Sequence, residues 1–343
     1  MSRSRTTPTL AADPPLPAEL AASDAPLIDT VPAPRCDVCG SERHRPVAAG
    51  YDYELRTCRN LWHYVACDEC AQVWLNPRPA AATLSTIYPP EYYAYNYDDL
   101  SALARKGKEL IDRRKLGGIL AAMPRPPATY LDVGCGDGRY LDVLASKGVP
   151  PASLLGLELN ADVVATARAR GLQVTCERVE DCTRFEPGSL DLITMFHVVE
   201  HVASPREVVE RLVGWLAPGG VLAIETPNID SLDARLFTAG LWGGYHIPRH
   251  WHLFRQETMT QLLESTGLEV DAVRYQTGHS FWMYSFHHRL RYAARPRRGL
   301  ARRFDPLASV APLLAFTAFD RARAMMGART SAMLHIARKP RDP

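Results

Sequence analysis

The sequence predicts an α/β fold: a doubly wound, mostly parallel sheet of seven strands, with a small cysteine-rich module ahead of it and a helical insert near the C-terminus. Three observations lead there. From residue 129 onward, short apolar runs alternate with segments of helical periodicity, the pattern of a parallel sheet covered by helices on both faces. The first run, Thr129 to Val133, leads into Gly134, Gly136 and Gly138, a turn without side chains on which a ligand can lie directly against the backbone. Two C-x-x-C pairs stand upstream, with 27 residues between them.

Taken in order, residues 1–34 contain seven prolines and little periodicity and read as a disordered tail. The cysteine module spans 35–79. Residues 80–128 form a connector with the aromatic run Ile87-Tyr88-Pro89-Pro90-Glu91-Tyr92-Tyr93, followed by a helix over 100–123. The core occupies 129–343. Its strands are expected at 129–133, 153–159, 172–176, 190–196, 220–226, 268–274 and 332–338, and its helices at 138–148, 160–170, 205–217 and 256–266. Asn160 is a natural N-cap for the second of these helices, and Pro218-Gly219-Gly220 ends the helix before the fifth strand. An insert at 278–330 separates the last two strands.

Composition sets the class. At 343 residues, 46% hydrophobic and 23% charged, the chain is that of a soluble globular protein with one large or two modest domains. Its net charge of +2 argues neither for nor against an acidic partner. Residues 1–30 lack the continuous apolar core of a signal peptide, and no run of 18 apolar residues exists to span a membrane. Eight cysteines in an unsecreted chain read as thiols or metal ligands, and cytoplasm is the expected compartment.

The glycine turn has the spacing G-x-G-x-G preceded by Asp132, unlike the G-x-G-x-x-G of dinucleotide folds, and the second strand closes on Glu158, 20 residues after Gly138. This pattern resembles the class I S-adenosylmethionine (SAM) dependent methyltransferases. The resemblance implies a Rossmann-like methyltransferase sheet whose last strand is antiparallel, inserted between strands five and six. It also implies SAM as cofactor: Gly134, Gly136 and Gly138 lie under its methionine part, Asp132 sits beneath its amino-acid end, and Glu158 takes the ribose.

Further motifs fit the same resemblance. Strand four, ending in Phe196, runs into His197-Val198-Val199-Glu200-His201-Val202, similar to the H-V-x-E-H-V segment that faces sulfonium and acceptor in small-molecule methyltransferases. Phe196 is thereby a cofactor contact, and His197 and His201 are candidates for acceptor binding or proton removal, histidine being suited to a general base. Glu180 and Asp181, after strand three, are candidates for the adenine amino group. The loop from Trp242 to Phe254 gathers three histidines, an arginine and several aromatic rings. It is expected to act as a lid over the acceptor, with His246 and His250 as further catalytic candidates beside Tyr245 and Arg249; a structural loop, or a metal held by H-x-x-x-H-x-H, is the alternative.

Cys36, Cys39, Cys67 and Cys70 can close a tetrahedral four-sulfur site with no open position, hence a structural Zn2+ in a zinc ribbon; Cys58 and His44 are possible substitutes. Zinc knuckles joined by a Tyr-Pro connector to a SAM domain resemble bacterial small-molecule methyltransferases, among them sugar C-methyltransferases. Those enzymes carry an additional C-terminal domain for which this chain has no room, so their acceptor does not carry over.

The insert combines Phe281-Trp282, a run of arginines from 289 to 303 and an apolar stretch over 307–319 broken by Pro312. It reads as a helical cap or dimer interface. The alternative is peripheral membrane contact through 281–320, on the inner face of the membrane, or binding of a long-tailed phosphorylated acceptor.

The expected function is methyl transfer from SAM to an oxygen or carbon of a small-molecule, saccharide or lipid-like acceptor. A zinc-ribbon nucleic-acid-binding or nucleic-acid-modifying protein is the alternative. Acidic residues interrupt any basic face of the cysteine module, and Phe196-His197-Val198-Val199 stands where amino-methylating nucleic-acid enzymes place Asn/Asp-Pro-Pro-Tyr/Phe, so no nucleic-acid partner is expected. A nicotinamide oxidoreductase is disfavoured by the glycine spacing.

Overall fold

A computed structural model describes residues 10, 12–89, 102–293, 295–306 and 309–341. The connector residues 90–101, the first nine residues and residue 11 lie outside the described residues. The chain divides into two compact units. One comprises residues 90–225, 263–273 and 335–343; the other comprises 1–89, 226–262 and 274–334.

The strands, in chain order, are β1 (Thr30–Val31), β2 (His44–Gly50), β3 (Trp62–Cys67), β4 (Val73–Leu75), β5 (Arg78–Pro79), β6 (Tyr130–Val133), β7 (Leu154–Glu158), β8 (Gln173–Cys176), β9 (Leu190–Phe196), β10 (Leu216–Pro227), β11 (His252–Leu253), β12 (Glu269–Gln276) and β13 (Ala332–Arg338). The helices are α1 (Ala18–Ala21), α2 (Leu84–Ile87), α3 (Ala102–Ala121), α4 (Arg139–Ala145), α5 (Ala161–Ala169), α6 (Pro205–Trp215), α7 (Leu232–Leu236), α8 (Gln256–Ser265), α9 (His279–Tyr292), α10 (Arg298–Ala301) and α11 (Val310–Met325).

The seven expected core strands all form, in the order β12-β13-β10-β9-β6-β7-β8. Pairs β10/β9, β9/β6, β6/β7 and β7/β8 are parallel. Strand β13 lies between β12 and β10. It runs antiparallel to β10: Lys339 exchanges backbone hydrogen bonds with Gly219 and Gly220 at the start of β10, while Ser331 accepts from Asn228 just beyond its end. The apolar runs become central strands because both faces are covered: all four residues of β6 are buried, as are Leu190, Leu192, Ile193 and Met195 of β9. Asn160 caps α5 as expected, its Oδ1 accepting from the amides of Asp162 and Val163.

In the other unit a four-stranded sheet has the order β11-β4-β3-β2. The cysteine module is therefore not closed within 35–79. Its sheet takes its edge strand β11 from residues 252–253, some 180 residues downstream, pairing His252 with Trp74 and Leu253 with Val73. The segment 12–34, expected as tail, is instead partly incorporated: Leu20 of α1 is 1% exposed against Tyr51 and Tyr53. Burying one leucine and pairing Glu19 with Arg291 orders a stretch that composition alone marks as disordered. Pro312 does not break α11, because it stands in the first turn, where the missing N–H has no intrahelical partner to lose.

Candidate active site

The glycine turn leaves β6 with Asp132 behind it. Asp132 is 2% exposed. Its Oδ1 accepts from the Thr194 hydroxyl of β9 at 2.7 Å, and its Oδ2 is buried with no hydrogen-bond partner. Burial pushes its pKa up to about 7, against the opposing pull of Thr194 and Arg139. A buried carboxylate oxygen lacking a donor is suited to a cationic or donor group arriving with a ligand.

Glycine is required at Gly134, where φ is +73° and an added Cβ would collide with Val198. Gly136 differs: its φ is +54°, and a Cβ there would meet nothing within 4 Å. The backbone of Gly136 thus faces open space, and its N–H donates to Glu158 Oε2 at 3.0 Å. Glu158 Oε1 accepts from the amides of Leu159 and Asn160 at 2.7 and 3.0 Å. The acid closing β7 is therefore bolted to the glycine turn, with both lone pairs of Oε1 used and one left on Oε2 for a further donor.

Of the two adenine candidates, Glu180 is hydrogen-bonded to Arg178 at 2.7 Å, and its pKa is lowered because Arg178 outweighs burial. The Asp181 side chain is 72% exposed. Phe196 stacks edge-on against Tyr140, ring centroids 4.9 Å apart.

Beyond Phe196 the chain turns sharply at His197, whose φ is +55°. The ring is held between two carboxylates, Nδ1 3.2 Å from Glu200 Oε1 and Nε2 3.4 Å from Glu225 Oε1, while its backbone N–H donates to the Glu225 carbonyl at 2.8 Å. Desolvation works against the charged ring, but Glu200 and Glu225 outweigh it and raise its pKa to about 9. The side chain is 40% exposed. The two carboxylates thus favour the protonated, donor form of His197 over the free base. His201 donates its backbone N–H to Val198 at 2.9 Å.

Sequence reasoning missed what stands behind Glu225. Lys115 of α3 forms an ion pair with it, and the pKa of Glu225 falls far below the carboxylate range because Lys115 and His197 outweigh its burial. Lys115 Nζ also lies 3.1 Å from the Tyr140 hydroxyl and 4.5 Å from the Phe196 ring centroid. Tyr140 donates to Asp112 at 2.8 Å, and Arg139 pairs with the same acid. One signal was present: Asp112 and Lys115 share the helical face of the buried Leu116 and Ile119, an anomalous place for charge.

A methyltransferase-domain family model matches residues 101–273. The chain belongs to that family. It is a class I SAM-dependent methyltransferase. A ubiquinone biosynthesis O-methyltransferase of Xanthomonas campestris pv. campestris is 29% identical over 169 residues, covering 45% of this chain and 67% of that protein. One from Xanthomonas euvesicatoria pv. vesicatoria is 35% identical over 157 residues, covering 43% and 64%. A trans-aconitate 2-methyltransferase of Methylobacterium radiotolerans is 28% identical over 192 residues, covering 53% and 70%. The plantazolicin methyltransferase BpumL in complex with SAH superposes with a TM-score of 0.47 at 13% identity, covering 75% of this chain and 93% of that one.

In the methyltransferase's other unit, the sulfurs of Cys36, Cys39, Cys67 and Cys70 all lie within 4.8 Å of one another, with Cys36–Cys70 and Cys39–Cys67 each 3.5 Å apart. Four sulfurs about 2.3 Å from one ion form a tetrahedron with edges of about 3.8 Å, so the group fits a metal. The two knuckles share one backbone pattern: Cys36 N–H to Ser41 and Gly40 N–H to Cys36, then Cys67 N–H to Gln72 and Ala71 N–H to Cys67. Cys58 and His44 are not members of this four-sulfur group.

The loop expected as an acceptor lid packs onto that module. Arg249 is fully buried and places its five N–H donors on Ile87 O, Ile247 O, both oxygens of Asp52 and the Thr57 hydroxyl. None remains for a ligand. His246 Nδ1 lies 2.7 Å from Glu54 Oε2, both side chains 3% exposed, and His250 Nδ1 lies 2.8 Å from the Gly244 carbonyl. Histidines placed over the acceptor in sequence thus have internal partners in the structure. The physical reason is that β11 needs its preceding loop fastened to β4 and to residues 52–57.

Proposed function

We propose that this enzyme methylates an oxygen of a small, ionisable acceptor, with carbon methylation of a saccharide or lipid-like molecule as the neighbouring case. The observation that carries the reading is the His197 ring, held between Glu200 and Glu225 directly after the strand that bears Phe196. SAM supplies a methyl carbon already activated by its sulfonium. What the chain must do is orient the partners and steady the acceptor's charge. Asp132 and Glu158 would hold the cofactor's amino-acid end and ribose, with Asp181 at the adenine. His197, held between Glu200 and Glu225, would border the acceptor and lend it positive charge, and Lys115 would balance Glu225 from behind. His201 would shape the acceptor's surroundings. The names of two relatives support the class, one stating O-methylation in ubiquinone biosynthesis and the other acting on trans-aconitate. The four cysteines would hold a structural zinc.

Incubation with methyl-labelled SAM and a panel of carboxylic acids, phenols, sugars and folded RNA tests the proposal. Label on an acid or phenol is expected, with His197→Ala sparing SAH affinity while slowing turnover. Label on RNA alone would overturn it in favour of the nucleic-acid alternative.

A further inference from the structure

Helix α11 is sixteen residues long, about 24 Å. One side of it is turned inward. Phe316 stacks on Trp282 and Phe286 of α9 at 5.5 and 5.6 Å, and Phe304 stacks on Phe286 at 4.9 Å. Asp320, fully buried, accepts from Gly278 N and Trp282 Nε1 at 3.0 Å each. The opposite side is apolar and in water. Val310, Leu314, Met325 and Met326 are 60–77% exposed, and alanines 311, 315, 318 and 322 are exposed between them. From 310 to 326 the one exposed charged residue is Arg321.

Charge gives this face a direction. Residues 278–330 contain ten arginines and two acids, Asp305 and Asp320, with no lysine or glutamate. Arg295, Arg297, Arg302 and Arg303 are exposed around Leu300, itself 39% exposed. The start of α11 is fastened to this arginine segment, Ser309 donating its N–H to the Asp305 carbonyl and its hydroxyl to the Arg302 carbonyl. An apolar helix face continuous with exposed guanidinium groups matches an acyl layer under anionic phosphates. A second copy matches poorly. An isologous contact would set the patch against itself, with arginines near both ends of α11 and no exposed acid along it to receive them.

We propose that residues 300–306 and 309–326 dock the enzyme peripherally on an anionic lipid surface, with α11 lying in the headgroup plane. Trp282 and Phe286, inside the wider 281–320 span expected from sequence, serve instead as the platform beneath α11. The test is flotation of the full-length, zinc-loaded protein with phosphatidylcholine vesicles, with or without about 30% phosphatidylglycerol. Binding to the anionic vesicles alone is expected. Arg302→Gln with Arg303→Gln should weaken partitioning about 25-fold, at about fivefold per arginine. Leu314→Glu with Met325→Glu, both at exposed positions, should weaken it at least about tenfold, at about 25 cal/mol per Å² of apolar surface kept in water. SAH affinity, unchanged in both variants, confirms that they fold. No flotation, or equal flotation of wild type and Leu314→Glu/Met325→Glu, would overturn the proposal. So would a vesicle-free dimer that this double variant converts to monomer while flotation persists, since the face would then join two copies. Flotation needs no methyl acceptor, so it is read independently of the acceptor assignment.

Discussion

Replacing Asp52 by Asn should destabilise the unit that contains the cysteine module by about 3–4 kcal/mol. The magnitude follows from two lines. Asp52 and Arg249 are both fully buried, and the pKa of Asp52 falls from 3.8 to about 2 because Arg249 and the Thr57 donors outweigh its desolvation. That displacement corresponds to about 2.5 kcal/mol of stabilisation of the charged carboxylate. Removing the charge also strands a buried guanidinium, an event that costs about 3–5 kcal/mol. The Asn oxygen would still accept from one of the amides of Leu55 and Thr57, which bond to different oxygens of Asp52, so the upper end of that range is not reached. Urea unfolding followed by the fluorescence of buried Trp62, Trp74 and Trp242 measures the effect. Arg249→Met on the Asp52→Asn background should show a coupling of at least about 2 kcal/mol in the double-mutant cycle. The sign of the pH dependence is set by the depressed pKa: the contribution is complete above about pH 4 and is lost as pH falls through about 2. Wild type should therefore lose stability in that window more steeply than Asp52→Asn. A cost below about 1 kcal/mol, or a cycle without coupling, would refute the claim that this ion pair fastens the loop to the module.

The glycine turn makes a paired prediction. Gly134→Ala should cost about 2–3 kcal/mol through left-handed backbone and collision with Val198, whereas Gly136→Ala should cost about 1–2 kcal/mol yet weaken SAH binding, since its Cβ enters open space; melting and calorimetric titration separate the two. The His197 ring should titrate near 9 by NMR and move toward 6.5 in Glu200→Gln. Because the folded pKa is raised, the ring's stabilising contribution is present below about 6.5 and lost as pH rises through 9; a wild-type ring titrating near 6.5 would restore the general-base reading. Metal analysis should find one zinc per chain, and chelation or Cys67→Ser should lower the melting temperature of the module; an unchanged melt after metal removal would argue against a structural ion.

Several parts of this fold were legible because they depend on local pattern. Each core strand lies within a few residues of its expected place, since β-branched and apolar runs between helical segments have one economical arrangement, a parallel sheet. The glycine turn was legible for the same reason: Gly134, Gly136 and Gly138 all take the left-handed backbone that their residue type allows. The two cysteine pairs announced themselves by spacing. Lys115 did not, because nothing in α3 indicates that its ammonium meets Glu225 at the end of β10, 110 residues on.

The sequence by itself determined the class of enzyme, the cofactor turn and the strand order's outline. Only the tertiary structure showed what the loop from 242 to 254 packs against. Its histidines and arginine have the composition of a ligand-binding lid, yet β11 completes the sheet of the cysteine module, and Asp52 and Glu54 stand opposite Arg249 and His246. A buried charge must meet its counter-charge within the fold, and that partner can lie anywhere along the chain. Composition reports the charge; only packing reports the partner.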